Sequence, residues 1–140
     1  MIDIKEALSE KFEMTDCGEL KYFLGIEIHR NRSNRSIELS QQGYGTSIIK
    51  RFGMQNAKTT TTPLEAMIKL RKATDDEHLA DDCLFRQIIG SLMYLTLCTR
   101  PDLSAAVSIL SQFSSKPTHT HLTAAKRTLR YLKNTVGYRL

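Results

Sequence analysis

Two prolines and the apolar spacing around them constrain this chain most. Leu84 to Leu97 is apolar on nearly every side, which predicts a helix buried in a bundle. Thr99-Arg100-Pro101-Asp102 interrupts it: the proline halts one helix, and Asp102 is placed to cap the exposed N–H groups of the next. Leu103, Val107, Leu110 and Phe113 then form a single stripe at helical spacing. Lys116-Pro117-Thr118 closes that segment, and a third helix is predicted from about Leu122 to Val136, with Ala125, Leu129, Leu132 and Val136 on its inner face. Three successive helices of this kind require mutual packing, because none buries its stripe alone.

The first third follows a different period. In GELKYFLGIEI, Leu20, Tyr22, Leu24, Ile26 and Ile28 share one parity, the alternation of a strand with one buried face. Gly25 lies at its centre, where it gives nothing to pack; either a close approach by another strand or a ligand, or a bulge, accounts for it. The polar stretch Arg30 to Arg35 and the alternating Ile37 and Leu39 complete a hairpin. Before it, Asp3 and Glu6 have capping-box spacing and Ile4, Ala7, Leu8 and Phe12 predict a helix from about Ile4 to Phe12. After it, Tyr44, Ile48, Ile49 and Phe52 predict a short helix stopped by Gly53, and KTTTTP, Lys58 to Pro63, predicts an extended connection. Glu65 to Asp82 is a charged surface segment with at most partial helix. The fold class is therefore α+β: a helix and a β-hairpin followed by a helical bundle.

The formal charge is +5, and its placement says more than its size. From Arg86 onward there are eight Lys or Arg against one acid, Asp102, whereas Asp75, Asp76, Glu77, Asp81 and Asp82 crowd together. On the last helix Lys126, Arg127, Arg130 and Lys133 ride the flank and outer side, so four cations are expected to face solvent. A solvated face is the usual outcome for such runs, but without compensating acids the pattern points to a phosphate-bearing partner, nucleic acid ahead of lipid.

Several chemistries find no support. Cys17, Cys83 and Cys98 are isolated, which argues against a disulfide framework or zinc site and fits a reducing compartment. His119 and His121, without a neighbouring cysteine or carboxylate, are assigned to a polar loop after Pro117 rather than to a metal. Ser40, Ser91, Ser104 and Ser111 lack a nucleophile-elbow context, and Gly43-Tyr44-Gly45 is not a phosphate loop. Asp75-Asp76 and Asp81-Asp82 are adjacent acids without a rigid hydrophobic strand to fix them, and read as solvated loop. Tyr22, Phe23, Tyr94 and Tyr131 suit base stacking, although aromatics at such spacing are mostly core. No apolar run approaches membrane-spanning length and the N-terminus is charged and amphipathic, so a soluble, unsecreted chain is expected.

The segments FEMTDCGELKYFLGIEI, IELSQQGY, RFGM, TPL, FRQIIGSLMYLTLCTRPD and HLTAAKRTLRYLKNT, in this order and over almost the whole chain, resemble the reverse transcriptase of copia-type LTR retrotransposons. The pattern departs from that family at Cys17, where leucine is usual, at Gly43 for lysine, at Leu122 for an aromatic and at Asn134 for glycine. The resemblance implies that residues 1–42 end the polymerase palm with a primer-grip hairpin, and that residues 43–140 form thumb and connection helices. It places Phe23, Leu24 and Gly25 in the grip, with Lys21 beside them, and the basic residues Lys126, Arg127, Arg130 and Lys133 are the candidate phosphate contacts. It further implies an RNA–DNA or DNA template–primer duplex as partner, alongside the remaining palm, fingers and ribonuclease H domains of a polyprotein, without a membrane. The family's Tyr-x-Asp-Asp turn lies upstream of this segment, and its ribonuclease H carboxylates lie downstream. The resemblance accordingly implies no catalytic or metal-binding residue here, Mg2+ only in the complete polymerase, and an intracellular setting, cytoplasmic in a virus-like particle or nuclear. Two other readings stay open: a stand-alone nucleic-acid-binding remnant or domesticated regulatory module without enzymatic activity, and a translated fragment whose apolar faces lack their partners.

Overall fold

In the computed structural model, residues 2–74 and 77–140 are described, apart from the side chains of Ile2 and Asp3. The adjacent acids Asp75 and Asp76, and the Asp3 half of the expected capping box, lie outside that description. The architecture is α+β. Helix α1 (Ile2–Ser9) precedes strands β1 (Tyr22–Phe23), β2 (Ile26–Asn31) and β3 (Ser36–Ser40). Helices α2 (Gln42–Arg51), α3 (Asp82–Cys98), α4 (Ser104–Ser111) and α5 (His119–Asn134) follow, with a 3₁₀ turn at Pro101–Leu103. α1 stops at Ser9, short of Phe12, and leaves Ile4, Leu8 and Phe12 exposed.

The core sits between α2, α3, α4 and α5. Ile48, Phe85, Leu92, Leu95, Leu103, Leu110, Leu129 and Leu132 are all but inaccessible to solvent. Burial of each such side chain contributes about 1.5–3 kcal/mol before conformational entropy is subtracted, so this cluster dominates the bundle's stability. Of the predicted inner faces, Leu103, Val107, Leu110, Ala125, Leu129 and Leu132 are buried, whereas Phe113 and Val136 lie past the ends of α4 and α5 and are half-buried; α2 ends at Gly53, whose φ of +66° makes it a left-handed stop. Helix α3 is less enclosed than its composition predicts. Phe85, Ile88, Ile89 and Leu92 face inward, whereas Leu97 is 79% exposed and Met93 40%.

Three local expectations are corrected. Asp102 does not cap α4, which has no side-chain cap; its carboxylate is held by Arg100 and Tyr131. Asp81 and Asp82 are not loose loop: Asp81 caps α3 by accepting from the Leu84 N–H at 2.9 Å, and Asp82 pairs with Arg86 one turn on. His119 and His121 open α5 rather than lying in a loop. Thr118 is the N-cap, and Nδ1 of buried His121 accepts from the Thr118 backbone N–H at 2.9 Å while its ring stacks on Phe113 at 4.0 Å.

The sheet order is β1-β2-β3, antiparallel throughout. Leu39 of β3 also exchanges both backbone hydrogen bonds with Leu140, at 2.9 and 3.0 Å, and Arg139 pairs with Glu38 at 2.7 Å, tying the end of the chain to the sheet. Between α2 and α3, residues 52–81 contain no helix among the described residues, and Leu79 makes an isolated bridge to Thr118.

Candidate nucleic-acid interface

The strand predicted from Leu20 to Ile28 is in fact two strands. Phe23 pairs with Ile26, and Leu24 and Gly25 form the two-residue turn between them with φ of +48° and +79°. Positive φ at both central positions is the signature of a type I′ turn, whose twist matches the strands it joins. Gly25 is therefore neither the centre of a continuous strand nor a bulge. A Cβ built there meets nothing closer than the Tyr94 hydroxyl at 3.7 Å. Leu24 has no such licence: a leucine held at φ +48° is strained, and its side chain is 72% exposed.

The turn is held from below. Tyr94 on α3 donates its hydroxyl hydrogen to the Leu24 carbonyl, and its ring meets Tyr44 of α2 edge-on at 5.1 Å. Desolvation pushes the Tyr94 phenol above its ordinary range, with Cys98, Tyr44 and Tyr22 acting in the same direction, so it remains a donor at neutral pH. In the sequence Tyr94 stands out only as an aromatic suited to stacking or to the core; nothing local signals that it anchors a turn seventy residues away. Around the tip, Leu20, Tyr22 and Phe23 are more than half exposed, and Lys21 lies open to solvent. Lys21, Phe23, Leu24 and Gly25, the residues expected at the grip, thus come together at one exposed turn strained at Leu24.

The basic face of α5 is a different matter. Four cations were expected in solvent, but only Lys126 is exposed. Arg127 reaches Glu65 and the Thr62 hydroxyl, both at 3.1 Å; Arg130 donates Nε–H to the Lys58 carbonyl; Lys133 donates to the Ala57 carbonyl at 2.9 Å. Thr128 adds a hydrogen bond to the Pro63 carbonyl at 3.1 Å. The partners run from 57 to 65 as the helix runs from 133 back to 127, so the KTTTTP connection lies antiparallel along α5, gripped by its own cations. An extended connector has carbonyls that no ladder satisfies, and these side chains satisfy them.

Arg100 is the most buried cation. At 3% exposure it forms a bidentate pair with Asp102 (2.9 and 2.7 Å), donates to the Thr135 carbonyl at 3.0 Å and lies over the Tyr131 and Tyr138 rings. Burial raises the Asp102 carboxyl, but the Arg100 hydrogen bonds and charge and the Tyr131 hydroxyl outweigh that and leave it below the usual carboxylate range. This group locks the α3–α4 turn to the end of α5. Among the described residues no group of three or more His, Cys, Asp or Glu that could hold a metal ion converges. No helix among them is long and apolar enough to cross a membrane.

Comparison with known proteins supplies the family. Residues 1–66 match the model described as "Reverse transcriptase (RNA-dependent DNA polymerase)". The chain is 38% identical over 139 residues to the retrovirus-related Pol polyprotein from transposon TNT 1-94 of Nicotiana tabacum, covering 96% of this chain and 10% of that protein. It is 45% identical over 131 residues to the Pol polyprotein from transposon RE1 of Arabidopsis thaliana, covering 94% of the chain and 9% of the relative. An uncharacterized mitochondrial protein of Arabidopsis thaliana is 41% identical over 133 residues, with 53% of its length covered. The chain therefore spans about a tenth of the Pol polyproteins it matches and about half of the mitochondrial protein. No solved structure matches. The match over residues 1–66 and the alignment of nearly the whole chain with these polyproteins make the chain similar to part of a copia-type reverse transcriptase.

Proposed function

We propose that the chain is the part of a retrotransposon RNA-directed DNA polymerase that holds and positions a template–primer duplex, while the carboxylates that bind catalytic metal belong to other segments of the polyprotein. The observation that carries this reading is the Leu24–Gly25 turn. An exposed leucine at positive φ, braced by Tyr94, is a rigid apolar tip beside exposed Lys21 and Phe23. Such a tip supports the end of a nucleic-acid strand through sugar and backbone contact, and strain of this kind concentrates at positioning sites. In this reading residues 1–42 serve as the end of a palm and 43–140 as thumb and connection. Lys126 supplies a phosphate contact from α5, whereas Arg127, Arg130 and Lys133 hold the connector and reach phosphate only when it is displaced. The partners are an RNA–DNA or DNA duplex and the neighbouring domains of the polyprotein, inside a virus-like particle or nucleus, with Mg2+ supplied to the complete enzyme.

Fluorescence anisotropy with a labelled RNA–DNA hybrid at low ionic strength tests the reading. Salt-dependent binding is expected, with loss of primer-end positioning in Leu24→Ala. A folded chain with no affinity for hybrid or duplex overturns it, as does robust primer extension by the chain alone. The half-length coverage of a short mitochondrial relative favours one second reading, a stand-alone nucleic-acid-binding remnant. In that case binding persists but does not distinguish a primer end from a blunt duplex.

A further inference from the structure

We infer that a second polyanion-binding surface lies on the β2–β3 turn, where Arg30, Arg32 and Arg35, with Lys21 and Arg139, take the phosphate backbone of a nucleic-acid strand. This inference rests on the nucleic-acid reading above and names a surface that supplies charge to it. The argument begins with what α5 lacks. Three of its four cations are committed to residues 57–65, so the most basic helix offers one exposed charge. Three exposed guanidinium groups lie elsewhere, close together on HRNRSNR.

That turn is a built feature. Asn31 pairs with Ser36 to close it, and the Asn31 side-chain oxygen accepts from the Asn34 N–H at 3.1 Å. Arg35 is held at φ +52°, which turns the chain back into β3. Arg30, Arg32 and Arg35 are all exposed, and among the described residues Arg30 and Arg35 have no ion-pair or hydrogen-bond partner for their side chains. Beside the turn is an open cleft of about 590 Å³, lined among others by Lys21, Arg30, Asn31, Asn34 and Arg139.

The acids at this cleft do not cancel it. Glu19 holds Arg32 at 3.2 Å and Glu38 holds Arg139 at 2.7 Å, but every side chain in these two pairs is at least 46% exposed. Exposed ion pairs contribute little and exchange readily for a phosphate, which accepts two parallel N–H bonds from one guanidinium. Glu27 pairs with His29, at 3.8 Å, rather than with an arginine. Asn31 and Asn34 add neutral polar groups to the lining, and few large apolar side chains do so, which matches a sugar–phosphate strand better than an apolar peptide. Lys21 joins this surface to the Leu24–Gly25 tip, so one strand can run from cleft to turn.

The test uses the full chain and a labelled RNA–DNA hybrid, titrated by anisotropy from low to moderate salt. Arg30→Ala with Arg35→Ala is expected to weaken binding at least tenfold and to reduce the slope of log affinity against log salt by about 0.7–0.9 per lost contact. Because neither arginine is buried, circular dichroism and the unfolding midpoint should stay at wild-type values. The comparison variant is Arg130→Ala with Lys133→Ala, which should change the slope much less. Unchanged affinity and slope in the arginine-turn variant overturn this inference while leaving the nucleic-acid reading standing. Absence of binding by the wild-type chain overturns that reading first. Equal binding of heparin and hybrid, with the same loss in both, supports backbone charge recognition and argues against base readout.

Discussion

Replacing Gly25 separates two reasons for having a glycine at the hairpin tip. With alanine, Cβ meets nothing closer than the Tyr94 hydroxyl at 3.7 Å, an ordinary contact, so the cost is that of holding an L-residue in left-handed backbone, about 1–2 kcal/mol. Gly25→Asn should cost less, because asparagine visits this region more readily, and Gly25→Val should cost more, because β-branching opposes it. The readout is hydrogen exchange at the Ile28 amide, whose bond to the Lys21 carbonyl at 2.8 Å breaks when the hairpin opens. The stated cost corresponds to roughly a five- to thirtyfold rise in opening for alanine. Template–primer binding then gives the second arm. If the turn requires glycine, binding follows the order Gly, Asn, Ala. If a strand passes so close that no side chain fits, Asn and Ala lose affinity equally. Equal losses, or alanine exchange at the wild-type rate, refute the turn account.

Three further outcomes follow from the bundle. Asp102→Asn removes the counter-charge of an almost fully buried guanidinium; since Asp102 keeps a third of its side-chain surface in water, the loss should be about 2–4 kcal/mol in urea unfolding, below the full cost of breaking a buried pair. A change under 0.5 kcal/mol defeats the assignment of Arg100 as the lock between the α3–α4 turn and α5. Desolvation holds the His121 pKa below its ordinary 6.5, against the raising effects of the Arg71 backbone and Glu77, while Arg71 itself lowers it. Its folded state binds fewer protons than the unfolded chain, so its contribution is complete above about pH 6.5 and falls as pH drops toward the lowered folded value. Wild type should therefore lose more midpoint between pH 7.5 and 5.5 than His121→Gln, and parallel losses would show that the histidine is not responsible. Arg127→Ala with Arg130→Ala should release the connector, seen as faster proteolysis between residues 57 and 65 with the core still folded; unchanged cleavage would show that the grip is incidental.

The bundle was legible in the sequence because its information is local. Leu103, Val107 and Leu110, or Leu129 and Leu132, recur at helical spacing, and every one is buried. The hairpin was half legible. Alternation found β2 and β3, but the run of apolar residues from Leu20 to Ile28 reads as one strand, whereas the two-residue turn pairs Phe23 with Ile26 and Tyr22 with Glu27, so residues of opposite parity share a face across it. Asp102 was misread for a related reason. An acid after proline satisfies the rule for a cap, yet Arg100 two residues earlier and Tyr131 on α5 compete for the same carboxylate and win by offering charged and phenolic donors.

The basic face of α5 shows where pattern reasoning stops. A helical wheel states which side chains leave the helix's own core face; it does not state what another segment brings to them. Lys126, Arg127, Arg130 and Lys133 differ little on the wheel, but the unladdered carbonyls of Ala57 and Lys58, with Thr62 and Glu65, arrive from far earlier in the chain and engage three of the four. The same principle identifies where charge remains available. In HRNRSNR the turn is tight, its own backbone bonds are satisfied by Asn31 and by the β2–β3 ladder, and no connector crosses it, so Arg30 and Arg35 are left facing water. Net basicity thus marks the kind of partner, while the backbone's demand for hydrogen bonds decides which cations are left to meet it.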